Sequence, residues 1–284
     1  MLSVRITPVL VLLAGLLCSA TGSAQRRLAA LEPGASERGP AASAGVLVHH
    51  YDQLHEGEHW RVVTPRGPVH LFRPSDHDPT SAGIVVFMHG HGTTADRSWT
   101  TARLASQFAA SRANALCVVP EGPQRAGEPV VWPRLDELLV AAAGRAGIEL
   151  PAGPVVLVGH SSGFHSVTAW MSDPRVVEVI LLDGLYGREE ELAAWLATSR
   201  SHRLILVAER SRSVAEAWVR LVPGARELGY VPRYLDELTL EERAAPVLYL
   251  RSQVGHSEMV TGRAVLPLVL SLTRLAASQD RPRP

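Results

Sequence analysis

Val155-Val156-Leu157-Val158-Gly159-His160-Ser161-Ser162-Gly163-Phe164 reads as a strand, a tight turn and the first turn of a helix. The continuous β-branched run suits a strand buried on both faces of a parallel sheet. Glycines on either side of the turn let strand and helix approach closely. A serine between them is held with its hydroxyl exposed, where the helix directs its positive end at developing negative charge. A bare G-x-S-x-G match occurs by chance in about one chain in ten of average composition. Its weight comes from the strand before it and the helix after it. Together they point to Ser161 as a nucleophile rather than to an ordinary Gly-rich connection.

Outward from this turn the chain alternates short apolar runs with amphipathic stretches, the pattern of an α/β domain. Strands are expected at 59–64, 69–72, 83–88, 115–119, 155–158, 176–182, 204–207 and 247–250. The first two flank Pro65-Arg66-Gly67-Pro68 as a hairpin-like opening. Helices are expected at 98–112, 135–146, 163–172, 189–199, 214–221 and 258–277. This order implies an α/β fold with one mostly parallel central sheet, antiparallel N-terminal strands and helices on both faces. Between Asp183 and the next strand there is chain for a single helix, which excludes a large cap domain there.

A nucleophilic serine needs a base, an acid and donors for the oxyanion. One donor is expected to be the backbone N–H of Ser162. The other is expected from the Gly-rich loop His89-Gly90-His91-Gly92 that follows the 83–88 strand, with the amide of His91 or of Gly92 as candidates and His89 shaping the loop. His89 and His91 have the H-x-H spacing of a metal pair, but no third ligand lies close by in sequence. The base is expected late in the chain, just past a strand end. His256 fits, because His202 begins a strand and so lies at the wrong edge of the sheet. Two acids preserve the order serine, acid, histidine: Asp183 after Val179-Ile180-Leu181-Leu182, and Glu209 after the 204–207 strand. Asp183 is the first choice, since Gly184-Leu185-Tyr186-Gly187 gives a tight turn. Glu209 is the alternative, with Arg210 beside it.

The pair Gly159-His160-Ser161-Ser162-Gly163 and Leu181-Leu182-Asp183-Gly184-Leu185-Tyr186-Gly187 resembles the α/β-hydrolase superfamily, and in particular secreted, esterase-like bacterial members whose acid follows the strand after the nucleophile. The resemblance spans about residues 59–277. It implies Asp183 as the triad acid and hydrolysis of an ester, small-molecule or polymeric, through an acyl-enzyme. It implies no cofactor. The same triad serves amides and peptides, so an amidase or peptidase is the near alternative. A catalytically inactive binding protein on the same fold is the more distant one.

The rest of the chain narrows the choices. Residues 1–24 read as a secretory signal, with Arg5 ahead of an apolar run and Gly22-Ser23-Ala24 as the cleavage site. That run is shorter than the roughly 20 residues needed to span a bilayer, so stable membrane insertion is not expected and the protein is expected to be secreted or periplasmic. Residues 25–45, rich in Ala, Gly, Pro and Ser, read as a flexible linker, leaving 46–284 as the hydrolase domain. All 28 basic residues are arginine, balanced by 28 acidic ones. Near-neutrality excludes a broad attraction to nucleic acid. The lack of lysine excludes a Walker-type phosphate loop, Schiff-base chemistry and Ser–Lys dyads. Cys18 leaves with the signal and Cys117 alone remains, so no internal disulfide is expected. His49, His50, His55 and His59 form a histidine-rich segment whose bland reading is a solvated loop and whose sharp one is a metal site. Oligomeric state is not legible.

Overall fold

The apolar runs assemble into one ten-stranded sheet in the order β1-β2-β3-β5-β4-β6-β7-β8-β10-β9. The computed structural model describes residues 48–52, 55–231 and 238–275. All of them belong to a single unit, Ser43–Pro284. The signal and linker expected at 1–45 lie outside the described residues. The strands are β1 Val48–Asp52, β2 Gly57–Thr64, β3 Gly67–Pro74, β4 Gly83–Met88, β5 Ala115–Pro120, β6 Val155–His160, β7 Val176–Leu182, β8 Arg203–Ala208, β9 Arg226–Val231 and β10 Val247–Ser252. β1, β2 and β3 pair antiparallel, and β3 pairs antiparallel with β5. Every pair from β5 to β9 is parallel. The expected mixed sheet is therefore present.

Side-chain alternation splits each central strand between two cores. Ile84, Val86, Leu157, Val179 and Leu181 face one core. Val85, Phe87, Val158, Ile180 and Leu182 face the other. Helices α3 Leu135–Ala146, α4 Phe164–Trp170, α5 Glu189–Thr198 and α6 Arg212–Val219 cover the first face. The second is covered by α1 Ala95–Thr101, α2 Leu104–Ser111, α8 Glu258–Thr261 and α9 Val265–Leu270. A further short helix, α7 Leu240–Ala244, precedes β10. Only α5 lies between β7 and β8, so no large cap is inserted there.

Two expected helices are each broken in two. The stretch 98–112 divides at Arg103, whose φ of 49° is left-handed, and 258–277 divides near Arg263 at φ 60°. Apolar periodicity survives such a break, because the two pieces present their apolar faces to the same core. Trp132 is buried in packing: its carbonyl accepts from Trp170 Nε1 at 2.6 Å, and the Arg66 guanidinium lies 5.0 Å over its ring.

The connectivity decides where a ligand can sit. From β4 the chain moves outward to β5, then crosses to β6 on the other side of β4. Loops leaving such a switch point open a crevice at the carboxyl ends of the strands. The loop after β4 and the turn after β6 meet there.

Candidate active site

Ser161 begins a single 3-10 turn, Ser161–Gly163, between β6 and α4. Its φ is 54°, a left-handed conformation that a side chain rarely adopts. Close packing around the turn holds it. A Cβ on Gly163 would stand 2.5 Å from the Met88 carbonyl oxygen, and one on Gly90 would stand 2.8 Å from the Ser161 Cβ. The strained turn is thus clamped between its own helix and the loop after β4. Residues forced into sparse φ/ψ regions cluster at functional sites because the surroundings over-determine them.

Asp183 follows β7, the sheet neighbour of β6, and is also left-handed at φ 47°. Its side chain is fully buried. Oδ1 accepts from the Glu209 amide at 3.0 Å, the Ser211 amide at 2.8 Å and the Ser211 hydroxyl at 2.9 Å. Oδ2 accepts from His256 Nδ1 at 2.5 Å. Burial by itself raises the Asp183 carboxyl, but the hydrogen bonds from His256, Ser211 and Glu209 outweigh it and hold the group far below the usual carboxylate range. Asp183 is therefore ionised and orients the His256 ring. With Nδ1 donating to Asp183, the neutral imidazole carries its lone pair on Nε2.

Glu209 occupies a different role from the one its position suggested. Its amide serves Asp183, while its carboxylate is partly exposed and lies 3.9 Å from Arg210. The structure thus brings Asp183, not the Glu209 side chain, to His256.

The loop after β4 is braced from two sides. His89 donates from Nδ1 to the Gly90 carbonyl at 2.9 Å and accepts at Nε2 from the Gly122 amide at 3.2 Å. The Gly92 amide donates to the Gln124 carbonyl at 2.9 Å. The His91 amide donates to the Ser162 hydroxyl at 2.7 Å. The Gly92 amide thus meets the neighbouring loop, whereas the His91 amide meets the Ser161–Gly163 turn.

Of the described histidines in the histidine-rich N-terminal segment, only His50 and His59 meet, with ring centroids 4.9 Å apart. His49 stacks on Trp60, His55 contacts Asp52 at 2.7 Å, and His59 bonds to His70 at 2.9 Å. Among the described residues no three His, Cys, Asp or Glu side chains converge as a metal cluster.

The sequence profile of the alpha/beta hydrolase family matches residues 85–284. The chain belongs to the alpha/beta hydrolase family. Membership supports hydrolase chemistry at this site. No curated protein matches the chain. Among solved structures, this hydrolase is similar to a feruloyl esterase module from Clostridium thermocellum complexed with sinapinate, at 12% identity over 86% of this chain and 94% of that one, TM-score 0.47. It is also similar to a hyperthermophilic esterase from the archaeon Pyrobaculum calidifontis, at 14% identity over 78% and 87%, TM-score 0.47. A third likeness is to an S-formylglutathione hydrolase from Staphylococcus aureus, at 8% identity over 80% and 98%, TM-score 0.48.

Three residues of this hydrolase's site were not anticipated. His160 donates from Nε2 to the His256 carbonyl at 3.0 Å and so ties the late loop to the elbow. Burial foremost, then the nearby His256, pushes the His160 imidazole down to about 4, which keeps it neutral. Its signal was available, since it is the residue immediately before the expected nucleophile Ser161. Ser211 buttresses Asp183, and Glu121 accepts from the Ala95 amide at 3.1 Å beneath the loop after β4. Neither sits in a pattern that sequence spacing could reveal.

Proposed function

We propose that this chain is a serine hydrolase that cleaves carboxylic esters through an acyl-enzyme on Ser161. His256 Nε2 takes the Ser161 proton as the oxygen attacks the carbonyl carbon. The tetrahedral oxyanion lies on the amides of Ser162 and His91. Collapse expels the alcohol, which recovers the proton from His256. Water, deprotonated by the same nitrogen, then attacks the acyl-enzyme and releases the acid. The observation that carries this reading is the 2.5 Å contact between buried Asp183 and His256. A buried carboxylate whose Oδ1 is fixed by three donors and whose Oδ2 meets the ring Nδ1 is built to hold one imidazole in one tautomer.

A cleft of about 390 Å³ lined by His91, His165, Thr168, Arg188 and Val130 lies beside the elbow. It is sized for a small acyl or alcohol group, or for one unit of a polymeric ester. Export, directed by residues 1–24, belongs to the same proposal. The test is labelling with a fluorophosphonate, beside turnover of a panel of acyl esters and peptide amides. Labelling of the native protein, loss of labelling in Ser161→Ala and faster turnover of esters than amides are expected. Labelling that persists in Ser161→Ala overturns the assignment, and preferential amide cleavage moves the chain to the amidases.

A further inference from the structure

The opposite end of the sheet carries a second cleft that the ester chemistry does not use. It measures about 790 Å³ and lies at the amino ends of β7, β8 and β10. Arg203 opens β8, whereas Glu209 follows its far end beside Asp183. The cleft is thus about one strand length, roughly 17–20 Å, from the proposed triad.

Its lining is strongly cationic. Arg200, Arg203, Arg243 and Arg274 face it, with Glu178 as the single carboxylate. Arg203 and Glu178 are both buried. Arg203 donates from Nη1 to Glu178 Oε1 at 3.3 Å and to the Leu272 carbonyl at 2.7 Å, and from Nε to the Ala245 carbonyl at 3.3 Å. Glu178 spends its other oxygen on the Arg274 amide at 2.9 Å. The second terminal nitrogen of Arg203, Nη2, is buried with no hydrogen-bond partner among the described residues. Burial chiefly lowers the pKa of this guanidinium, and the charges of Arg274 and Arg243 add to the effect against the opposing pull of Glu178.

A buried orphan donor costs the full desolvation of that N–H. A purely structural ion pair would also attract carboxylates rather than further arginines. Arg200 and Arg274 are exposed and form no ion pair among the described residues. One carboxylate among the guanidinium groups of Arg200, Arg203 and Arg274 leaves positive charge that a doubly charged oxyanion would balance. Guanidinium forks match phosphate oxygens in geometry as well as charge. We propose that this cleft binds a phosphoryl group, with Arg203 at its floor and Arg200, Arg243 and Arg274 around it. The cleft is larger than a bare ion, so the group is carried on a small molecule.

Calorimetric titration with inorganic phosphate and with inorganic pyrophosphate, at ionic strength held constant with sodium chloride, tests this. Saturable one-to-one binding with a Kd of about 1 mM or tighter is expected for pyrophosphate, and weaker binding for phosphate. Arg200→Ser combined with Arg274→Ser changes only exposed side chains, so folding and ester turnover persist while pyrophosphate affinity falls at least tenfold. Arg203→Lys keeps the charge opposite Glu178 but removes the fork, and is expected to weaken binding to a similar extent. Heats equal to those of a chloride control, or unchanged affinity in the double variant, overturn the proposal.

Discussion

The backbone amide of His91 donates to the side-chain hydroxyl of Ser162 at 2.7 Å. The two residues lie in different loops, one after β4 and one after β6, and under the proposed mechanism both supply amides to the same oxyanion. Before substrate arrives the His91 amide is held by this bond and must share its one hydrogen with the oxyanion, so the Ser162 hydroxyl fixes the loop end rather than aiming the N–H. Removing it leaves the loop end held only through Gly92 and His89. A neutral hydrogen bond of this kind contributes about 1 kcal/mol, and that amount of lost pre-organisation lowers a rate about fivefold. Ser162→Ala is expected to reduce kcat by about that factor with the melting temperature little changed, and Ser162→Thr to retain most activity. Steady-state kinetics on a short-chain ester checks this. A rise in kcat for Ser162→Ala would mean that the hydroxyl only competes with substrate for the amide.

Asp183 and Glu209 differ in what their side chains touch, so their amide variants should differ in activity. Asp183→Asn replaces one carboxylate oxygen with an NH2 group, which can no longer accept the hydrogen bonds present and turns the His256 tautomer. Loss of the orienting carboxylate in a triad lowers kcat by about ten-thousandfold. Glu209→Gln changes a partly exposed group near Arg210 and keeps the amide that serves Asp183. Its kcat should stay within about twofold, since exposed ion pairs contribute little. Paired kinetics on the two variants decides between the acids, and equal losses would remove Asp183 from its proposed role.

The pattern of legibility follows the same physics. The strands recognised from sequence are those buried between two neighbours, where apolar runs are enforced. The two that escaped, Val-His-His-Tyr-Asp in β1 and Arg-Glu-Leu-Gly-Tyr-Val in β9, are the two edges of the sheet. Edge strands take polar and charged residues that discourage further pairing, so they lack the signal by which strands are read. In the site, Ser161, Asp183 and His256 were legible because each follows a recognisable strand. The tight turn after Asp183 already favoured it over Glu209, but the contact that separates the two, from His256 Nδ1 to Asp183 Oδ2, joins residues 73 positions apart and shows in no local pattern. The Gly92 bond to Gln124 was not legible either, because it joins two loops with no shared pattern.

Stability should fall in two successive, overlapping acid windows. His59 and His160 are buried, and burial foremost pushes them down to about 3 and about 4. An unfolded histidine titrates near pH ~6.5. Between those values the unfolded chain binds more protons, so stability rises with pH and is lost as pH falls from about 6.5 through the folded values, by about 1.4 kcal/mol per pH unit for each histidine. Asp183 acts lower: its depressed carboxyl stabilises the fold above about pH 3.9 and is lost only as pH falls toward its low folded value. Urea midpoints from pH 7.5 to 4.5 should decline, and His59→Gln should flatten that decline. An unchanged slope in His59→Gln would contradict a neutral, buried His59.

Gly90 gives the sharpest separation of activity from folding. A Cβ there would stand 2.8 Å from the Ser161 Cβ and 3.2 Å from the His160 carbonyl oxygen. Neither contact is with a flexible chain end, so Gly90→Ala must push the loop after β4 away from the nucleophile turn. That displaces the His91 amide relative to Ser161, the two groups that close on one carbonyl under the proposed mechanism. Misplacement of about 1 Å in such a constellation lowers the rate about a hundredfold. The loop lies above the carboxyl end of the sheet, outside both hydrophobic cores, so secondary structure and cooperative unfolding should persist. Far-ultraviolet circular dichroism beside kcat measures both. Native-like turnover in Gly90→Ala would show either that the loop yields without moving its amide or that His91 is not the second donor.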